Sequence, residues 1–196
     1  VKGLKVFRER LFIFCEDEIF SLAGSSVADF QLQPVTRKIG CVDGFSIQEI
    51  AGDLIYLAPD GLRTIAGTEK IGDVELGTVS KQIQPRLDEV SADRISSLII
   101  RKKSQYRLFF AGDGQAESTA PGLIGVIKSG LEGGIGWEYA DLKGIKPSCC
   151  DSGFISGTET AIHGGHDGYV YIQESGNTFD GTNIQSIYQG PDFTMG

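Results

Sequence analysis

The sequence predicts an all-β fold, and three observations support this expectation. Glycine accounts for 27 of the 196 residues, about twice its usual share of ~7%, which indicates many tight turns. The apolar share of 40% and the charged share of 22% are ordinary for a globular protein and argue against disorder, collagen and coiled coil. Short apolar runs alternate with polar turn residues, a pattern typical of hairpins.

One hairpin motif returns along the chain. Residues 17–24 (DEIFSLAG) recur as residues 60–67 (DGLRTIAG) and as residues 105–112 (QYRLFFAG), so the closing glycines lie 43 and 45 residues apart. Each copy begins at a polar turn, and an apolar strand is predicted to start six residues before the copy. These upstream strands start at Leu11, Leu54 and Ile99.

A fourth copy follows after a longer interval. An Asp-Gly pair stands in the second copy (Asp60, Gly61) and again in the fourth (Asp167, Gly168). This pair is expected to form a hairpin turn, because glycine accepts a positive φ and aspartate caps its own turn. The fourth copy comprises residues 150–154 (CDSGF), 161–163 (AIH) and 167–171 (DGYVY), parallel to residues 41–45 (CVDGF), 54–56 (LIY) and 60–62 (DGL).

A period of about 40 to 45 residues with several strands per unit is typical of a β-propeller, in which small twisted sheets pack against their neighbours as blades. We therefore expect residues 1–196 to form a single β-propeller domain, or a fragment of one, with about four blades visible. The rival fold is a β-sandwich, whose strands recur every ~8 to 12 residues without a longer period. The predicted units are about residues 1–24, 38–67, 86–112 and 144–179.

Three segments depart from the simple repeat. Residues 113–136 are rich in Gly, Ser, Thr and Pro and are predicted to be an insertion loop. In residues 86–97 the apolar side chains fall near helical spacing, but Asp88 holds the aligned repeat position and the following residues are β-prone, so we prefer strands to a short helix there. Residues 174–196 do not follow the spacing of the repeat and are expected to lead into a next unit.

The charge balance limits the possible partners. The chain has 26 acidic and 18 basic residues, a net charge of −8, whereas nucleic-acid binders usually need a basic stripe. Tight DNA binding is therefore not expected, and the basic run Arg101, Lys102 and Lys103 is predicted to solvate a turn or a sheet edge. No apolar run approaches the ~20 residues of a spanning helix, so we expect no membrane segment.

We expect no signal peptide at the start of this sequence. Val1 stands where an initiator Met would be expected, and neither a basic region followed by an apolar one nor a cleavage site follows it. We expect the sequence to be part of a longer polypeptide whose other segments complete the ring.

Cysteines and histidines are weak candidates for a metal site. The cysteines show no metal-ligand spacing, and four thiols in a chain of this length are typical of a cytosolic protein. The two histidines flank two glycines, which favours a turn, and zinc needs three or four ligands in a defined geometry. We therefore expect no metal and no cofactor. The candidates are Cys15, Cys41, Cys149, Cys150, His163 and His166.

Acidic residues are the remaining candidates for catalysis. Asp43, Asp88 and Asp151 recur with the repeat, and a glycosidase would need paired carboxylates about 5 to 10 Å apart. Repeated aspartates near strand ends are more often turn or capping residues. The acidic run at residues 16–18 (EDE) is expected at a hairpin tip in water. We expect a protein that is not an enzyme and has no catalytic residue.

One segment has a partial match to a known structural motif. Residues 172–179 (IQESGNTF) partly resemble the Asp-box of sialidase propellers, Ser-x-Asp-x-Gly-x-Thr-Trp. The glycine, the threonine and an aromatic residue match, whereas Ile172 and Glu174 replace the expected serine and aspartate. The match supports a propeller hairpin more than it supports an enzyme.

Three segments share a hairpin style, namely residues 46–62 (SIQEIAGDLIYLAPDGL), 103–110 (KSQYRLFF) and 167–171 (DGYVY). These segments resemble blades of bacteriophage tail proteins, above all the nozzle, or tail tubular protein B, of short-tailed phages. The resemblance covers roughly residues 7–179 at the level of hairpin style, and the chain is shorter than a whole nozzle protein.

The resemblance implies a structural protein of the virion, made in the host cytoplasm and placed in the phage tail. It implies a homo-oligomeric ring of six copies around the DNA channel, in contact with tail adaptor and fibre proteins. Tail assembly and genome ejection would be its functions. DNA would pass without specific binding, which fits the acidic charge of the chain.

Two other functions stay open at this point. A binding module for a host surface glycan or protein could use the loop at residues 113–136 together with Trp137 and Tyr139, because aromatic rings stack on sugars. Such residues are as often the edge of a blade core. A glycosidase that uses the recurring aspartates is the less favoured possibility.

Overall fold

The computed structural model describes residues 1–66, 78–88, 90, 95–110, 116, 120–129, 135–179 and 182–183. Within these residues the fold is all-β, which confirms the predicted class. The strands form four antiparallel sheets of three or four strands and one two-stranded ribbon, and in each of them neighbouring strands follow one another in the chain. No helix among the described residues is long and apolar enough to span a membrane.

The first two sheets come from the N-terminal third of the chain. The first sheet contains β1 (Gly3–Phe7), β2 (Arg10–Phe14), β3 (Ile19–Ala23) and β4 (Gln31–Thr36). A 3-10 helix at Gly44–Ser46 precedes the second sheet. The second sheet contains β5 (Gln48–Ile50), β6 (Asp53–Ala58) and β7 (Gly61–Thr64). Arg63 of β7 forms a further antiparallel bridge to Thr78.

A short helical segment separates the second sheet from the third. It consists of a 3-10 helix at Lys81–Ile83 and the helix α1 (Gln84–Leu87). The third sheet contains β8 (Ser96–Ile100), β9 (Gln105–Phe109), β10 (Pro121–Ser129) and β11 (Ile135–Lys143), with a 3-10 helix at Arg101–Lys103. The fourth sheet contains β12 (Cys149–Ile155), β13 (Thr158–Gly164) and β14 (Val170–Ile172). The ribbon contains β15 (Thr178–Phe179) and β16 (Thr182–Asn183).

The Asp60-Gly61 pair forms the predicted turn between β6 and β7. Gly61 has a φ of +122°, a conformation that residues with a side chain rarely adopt. A Cβ atom at this position would also clash with the hydroxyl of Ser80, which accepts a hydrogen bond from the backbone N–H of Leu62 at 2.8 Å. Backbone conformation and close approach therefore both require glycine here.

The core lies between successive sheets. Phe12, Phe14 and Ile19 of the first sheet pack with Leu54 and Tyr56 of the second in one buried cluster. Because side chains alternate along a strand, Ile55 and Leu57 on β6 point to the opposite face of the second sheet from Leu54 and Tyr56. The second sheet is therefore buried on both faces.

The opposite face of the second sheet packs on the third sheet. Ile55 and Leu57 join Ile99, Tyr106 and Leu108 in the second buried cluster. A third, smaller cluster then joins the third sheet to the fourth. It consists of Leu98, Ile100, Phe109 and Ala161. The four sheets are thus packed face to face in chain order.

The predicted insertion loop at residues 113–136 is wrong for most of its described part. Strand β10 covers residues 121–129, and β11 begins at residue 135. Gly125 serves packing rather than a loop, because a Cβ atom there would lie 3.1 Å from the rings of Trp137 and Tyr139. Residues 113–115, 117–119 and 130–134 lie outside the described residues.

The repeat alignment also needs a correction of register. The copies at residues 17–24 and 60–67 contain the third strands of their sheets, β3 and β7, whereas the copy at residues 105–112 contains β9, a second strand. The third copy is therefore shifted by one strand. Successive hairpins of a meander look alike in sequence, so the motif alone does not reveal which strand pair it marks.

The predicted boundaries also differ from the sheets. The unit at residues 1–24 omits β4, which completes the first sheet at residues 31–36. In the ambiguous window at residues 86–97, α1 ends at Leu87 and β8 begins at Ser96, and residues 89 and 91–94 lie outside the described residues. Of the final segment, only the residues up to 179 and residues 182–183 are described.

Candidate functional site

The first strands of the second and third sheets are joined by partly buried polar contacts. The side-chain amide of Gln48 on β5 donates hydrogen bonds to the carbonyl oxygen of Ser97 on β8 at 2.9 Å and to its hydroxyl at 3.1 Å. The Ser97 hydroxyl in turn donates to the carbonyl oxygen of Phe45 at 2.6 Å. These contacts supply hydrogen-bond donors to the backbone carbonyl oxygens of Ser97 and Phe45.

Two further side-chain hydrogen bonds link the third sheet to its neighbours on either side. Tyr106 on β9 is fully buried, and its hydroxyl donates to the carbonyl oxygen of Ser46 at 2.9 Å. Burial raises the pKa of this phenol well above its ordinary value. Ser152 on β12 donates its hydroxyl to the carbonyl oxygen of Ile99 at 2.5 Å. The first strands of the second, third and fourth sheets are therefore consecutive neighbours.

A carboxylate holds the basic turn of the third sheet. The backbone N–H groups of Arg101 and Lys102 donate to the two carboxylate oxygens of Glu159 on β13 at 2.7 and 2.9 Å. The Glu159 side chain is only 2% exposed. Burial raises its pKa, but the two N–H donors and the positive charges outweigh that effect, so the pKa is lowered overall.

A second carboxylate binds the side chains of the same sheet. Glu174 pairs with Lys103 at 2.5 Å and with Arg107, whose side chain is 5% exposed. Arg107 also donates to the amide oxygen of Gln173 at 2.9 Å. Burial alone would raise the pKa of Glu174, but its two cationic partners lower it overall. The basic run at residues 101–103 thus binds the fourth sheet and the chain that follows it.

A cavity of about 280 Å³ lies beside these ion pairs. Hydroxyl, amide and carboxylate side chains line it together with Ile100, Ala161 and Ile172, and protein donors already bind both carboxylates. The arrangement is therefore suited to holding sheets together rather than to acid–base chemistry, which needs a carboxyl group free to exchange a proton. Its polar lining residues are Thr158, Glu159, Thr160, Gln173, Glu174 and Ser175.

The histidines and cysteines occupy structural positions. His163 on β13 is buried and stacks on the ring of Tyr171 at 5.3 Å, and Cys150 lies directly opposite it in the register of β12 and β13. Both face the third sheet. His166 lies in the turn after β13, as predicted. All four cysteines are free thiols, and the described residues contain no group of three or more His, Cys, Asp or Glu side chains able to hold a metal ion.

The recurring aspartates serve local structure. Asp43 accepts a hydrogen bond from the backbone N–H of Phe45 at 2.7 Å and caps the 3-10 helix. Asp88 follows α1 and accepts from the side chain of Gln84 at 2.9 Å. Asp151 accepts from the N–H of Ser152 at 2.7 Å. Asp43 thus makes the capping contact expected of such residues, whereas Asp151 lies within β12 and Asp88 bonds to a side chain. All three bonds are to residues within four positions in the chain.

The acidic run at residues 16–18 lies at the tip of the hairpin between β2 and β3, as predicted. Cys15 closes this turn by donating its N–H to the carbonyl oxygen of Glu18 at 2.8 Å. Glu16 and Asp17 are exposed. The run is therefore a solvated turn.

The two aromatic residues proposed for glycan binding lie on β11 and not on a loop. The rings of Trp137 and Tyr139 stack with centroids 6.0 Å apart, and both pack against the second core cluster. The Tyr139 hydroxyl donates to the carbonyl oxygen of Val79 at 2.8 Å. Burial raises the pKa of this phenol. These residues form the edge of the core, which was the alternative interpretation of their sequence.

Sequence reasoning missed both carboxylates of this junction. Glu159 was not singled out at all. Glu174 stood out only as a mismatch in the Asp-box comparison, yet with a φ of +58° it shapes the chain after β14 and binds two cations. The complementary signs of Glu174 and the run at residues 101–103 were visible in the sequence. The pairing was not predictable from the sequence, because Lys103 and Glu174 are 71 residues apart.

Together these contacts define an all-β protein whose consecutive sheets are joined by apolar clusters and by buried polar or ionic junctions. No protein-family model matches the chain, and no curated protein is significantly similar to it.

Proposed function

We propose that the four sheets are blades of a β-propeller, arranged in an arc about an axis that runs beside their first strands. Three features support this arrangement. The sheets are meanders of three or four strands, they pack face to face in chain order, and β5, β8 and β12 are successive neighbours. Radial packing of this kind leaves each inner blade buried on both faces.

We further propose that the protein is a structural component of a phage tail, similar to the nozzle of short-tailed phages. In this role it belongs to a homo-oligomeric ring, of six copies by resemblance, around the DNA channel. It contacts the tail adaptor and fibre proteins and takes part in tail assembly and genome ejection. Its net charge of −8 lets DNA pass without sticking, because like charges repel.

The observation that carries a structural role is the use of charge at the junction of the third and fourth sheets. Glu159, whose side chain is 2% exposed, and Glu174, whose side chain is 36% exposed, are bound by Arg101, Lys102, Lys103 and Arg107. The side chains of Glu159 and Arg107 are shielded from water, and shielded polar groups that are bonded in this way stabilise one arrangement of sheets. An assembly component needs that rigidity, and we propose no catalytic role for the chain.

Immunogold electron microscopy of phage particles whose genome encodes this chain tests the viral assignment. Antibodies against the purified chain should label the tail, and peptide mass spectrometry of the same particles should detect the chain. Antibodies against the major capsid protein provide the control for label position. Particles that lack the chain, or label confined to the capsid, would contradict the proposal.

A further inference from the structure

The outer face of the first sheet is an uninterrupted apolar surface. Side chains directly opposite each other in an antiparallel pair point to the same face. Leu4 pairs with Ile13 and Val6 with Leu11, and the rows continue across β3 and β4. We call this surface the first end face. It consists of Leu4, Val6, Leu11, Ile13, Phe20, Leu22 and Leu32.

The first end face is in contact with solvent. Leu4 is 60% exposed, Val6 69% and Leu32 57%, whereas Phe12 and Phe14, on the opposite face of the sheet, are buried in the core. Soluble proteins rarely expose contiguous apolar patches of this kind unless the patch is an interaction surface.

The other end of the stack also exposes apolar side chains. Ile155, Val170 and Ile172 of the fourth sheet are 63%, 71% and 60% exposed, and Ile162 is paired directly with Ile172. We call this surface the second end face. The opposite face of the same sheet carries Ala161, which packs on the third sheet. The two end faces therefore do not cover each other within one chain.

We propose that the first end face of one copy docks on the second end face of another copy. Within the chain, consecutive sheets pack face to face at three interfaces. The proposed contact would be a fourth interface of the same kind, between two chains. Asp151 lies on β12 in the second end face, and the exposed Lys2 directly precedes β1. The first strands of adjacent sheets are neighbours, so docking would place β12 of one copy beside β1 of the other. Asp151 of one copy and Lys2 of the other would then lie at the same edge of the contact, with opposite charges.

Head-to-tail contacts of this kind close into a ring when the rotation permits. Two copies, each with four sheets, make a ring of eight, which is within the usual propeller range of about four to eight blades. The inference rests on the proposed propeller arrangement and goes beyond the viral assignment. Six copies in a tail would form three such pairs.

Light scattering coupled to size-exclusion chromatography tests the docking on the purified chain. The expected mass is twice the 21.1 kDa of one chain. Val6→Lys and Val170→Lys should each weaken association by at least ~100-fold, because each would bury an unpaired charge. Val27→Lys is the matched control, since Val27 lies in a loop and is 88% exposed, and it should leave the mass unchanged. Circular dichroism checks that each variant is folded.

Mixing the two variants tests the direction of docking. The Val6→Lys chain keeps its second end face unaltered, and the Val170→Lys chain keeps its first end face unaltered. These two faces can still dock, so the mixture should form dimers that neither variant forms alone. A monomeric wild-type chain would overturn the proposal. Normal dimers of Val170→Lys beside monomeric Val6→Lys would also overturn it, because the first end face would then pair with itself. Either result leaves the particle labelling described above unaffected, so the two proposals fail separately.

Discussion

Gln48 donates its side-chain amide to the carbonyl oxygen of Ser97 across 2.9 Å, although the two residues are 49 positions apart in the chain. The bond joins the first strand of the second sheet to the first strand of the third. Ser152 repeats this relationship one sheet further on, with its hydroxyl bound to the carbonyl oxygen of Ile99. Such links fix the order of the sheets and the edge along which they meet.

Replacement of Gly125 tests the packing of β11 on β10. The new Cβ atom of Gly125→Ala would lie 3.1 Å from the rings of Trp137 and Tyr139, so the ring pair must shift. We expect a loss of about 1–3 kcal/mol in the free energy of unfolding and a changed emission of Trp137, the single tryptophan. Urea titration followed by fluorescence measures both effects. Gly153→Ala, on β12 with open space around it, should show neither, and equal behaviour of the two variants would contradict the account.

Acid should weaken the junction between the third and fourth sheets. The pKa values of Glu159 and Glu174 are lowered in the folded protein. Their contribution is therefore complete above the unfolded value of ~4.3 and is lost as the pH falls through the lower folded values. Glu159→Gln should cost about 1–2 kcal/mol at neutral pH and should make the stability of the protein less sensitive to acid. Urea unfolding at a series of pH values from neutral to acidic measures this.

Glu16→Gln is the control for that experiment, since Glu16 is exposed at the tip of the β2–β3 hairpin. It should change the free energy of unfolding by less than ~0.5 kcal/mol at any pH. If Glu159→Gln retained the full acid sensitivity of the wild type, the pairing of Glu159 with the basic turn would not contribute to stability.

Adjacent cysteines should differ sharply in reactivity. Cys149 is exposed, whereas burial is the main cause that raises the pKa of Cys150 to about 11. Burial likewise raises the pKa of Cys41 to about 11. A thiol with that pKa is only ~0.1% thiolate at pH 8, so a thiol reagent at pH 8 should label Cys149 at least ~100-fold faster than Cys41 or Cys150. Peptide mass spectrometry after timed labelling measures the rates. Urea should abolish the difference, and equal rates in the folded protein would contradict the burial of Cys150.

Composition and hairpin patterning were sufficient to predict an all-β fold and several of its turns. The Asp60-Gly61 turn follows from local chemistry, because glycine alone accepts its φ of +122° without strain. The loop predicted at residues 113–136 failed for the opposite reason. Gly122 and Gly125 contributed to the glycine-rich composition that predicted a loop, but both lie in β10, where a Cβ atom would come within 3.0–3.1 Å of neighbouring atoms.

The candidate site was much less predictable. Glu174 and Lys103 are 71 residues apart, and only the packing of the fourth sheet on the third brings them to 2.5 Å. Local patterns report on turns and strand faces, whereas ion pairs between sheets depend on the order of stacking. The shifted third copy of the repeat shows the same limit, since a hairpin motif does not state which strands of a sheet it contains.

A double-mutant cycle between Gln48 and Ser97 tests the central claim that first strands of consecutive sheets are direct neighbours. Gln48→Ala, Ser97→Ala and the double variant are compared with the wild type by urea unfolding. Because the two side chains bond to each other at 3.1 Å, we expect a coupling energy of about 0.5–1.5 kcal/mol. Additive effects of the two substitutions within experimental error would show that β5 and β8 do not meet, and the stacked arrangement of sheets would then be wrong.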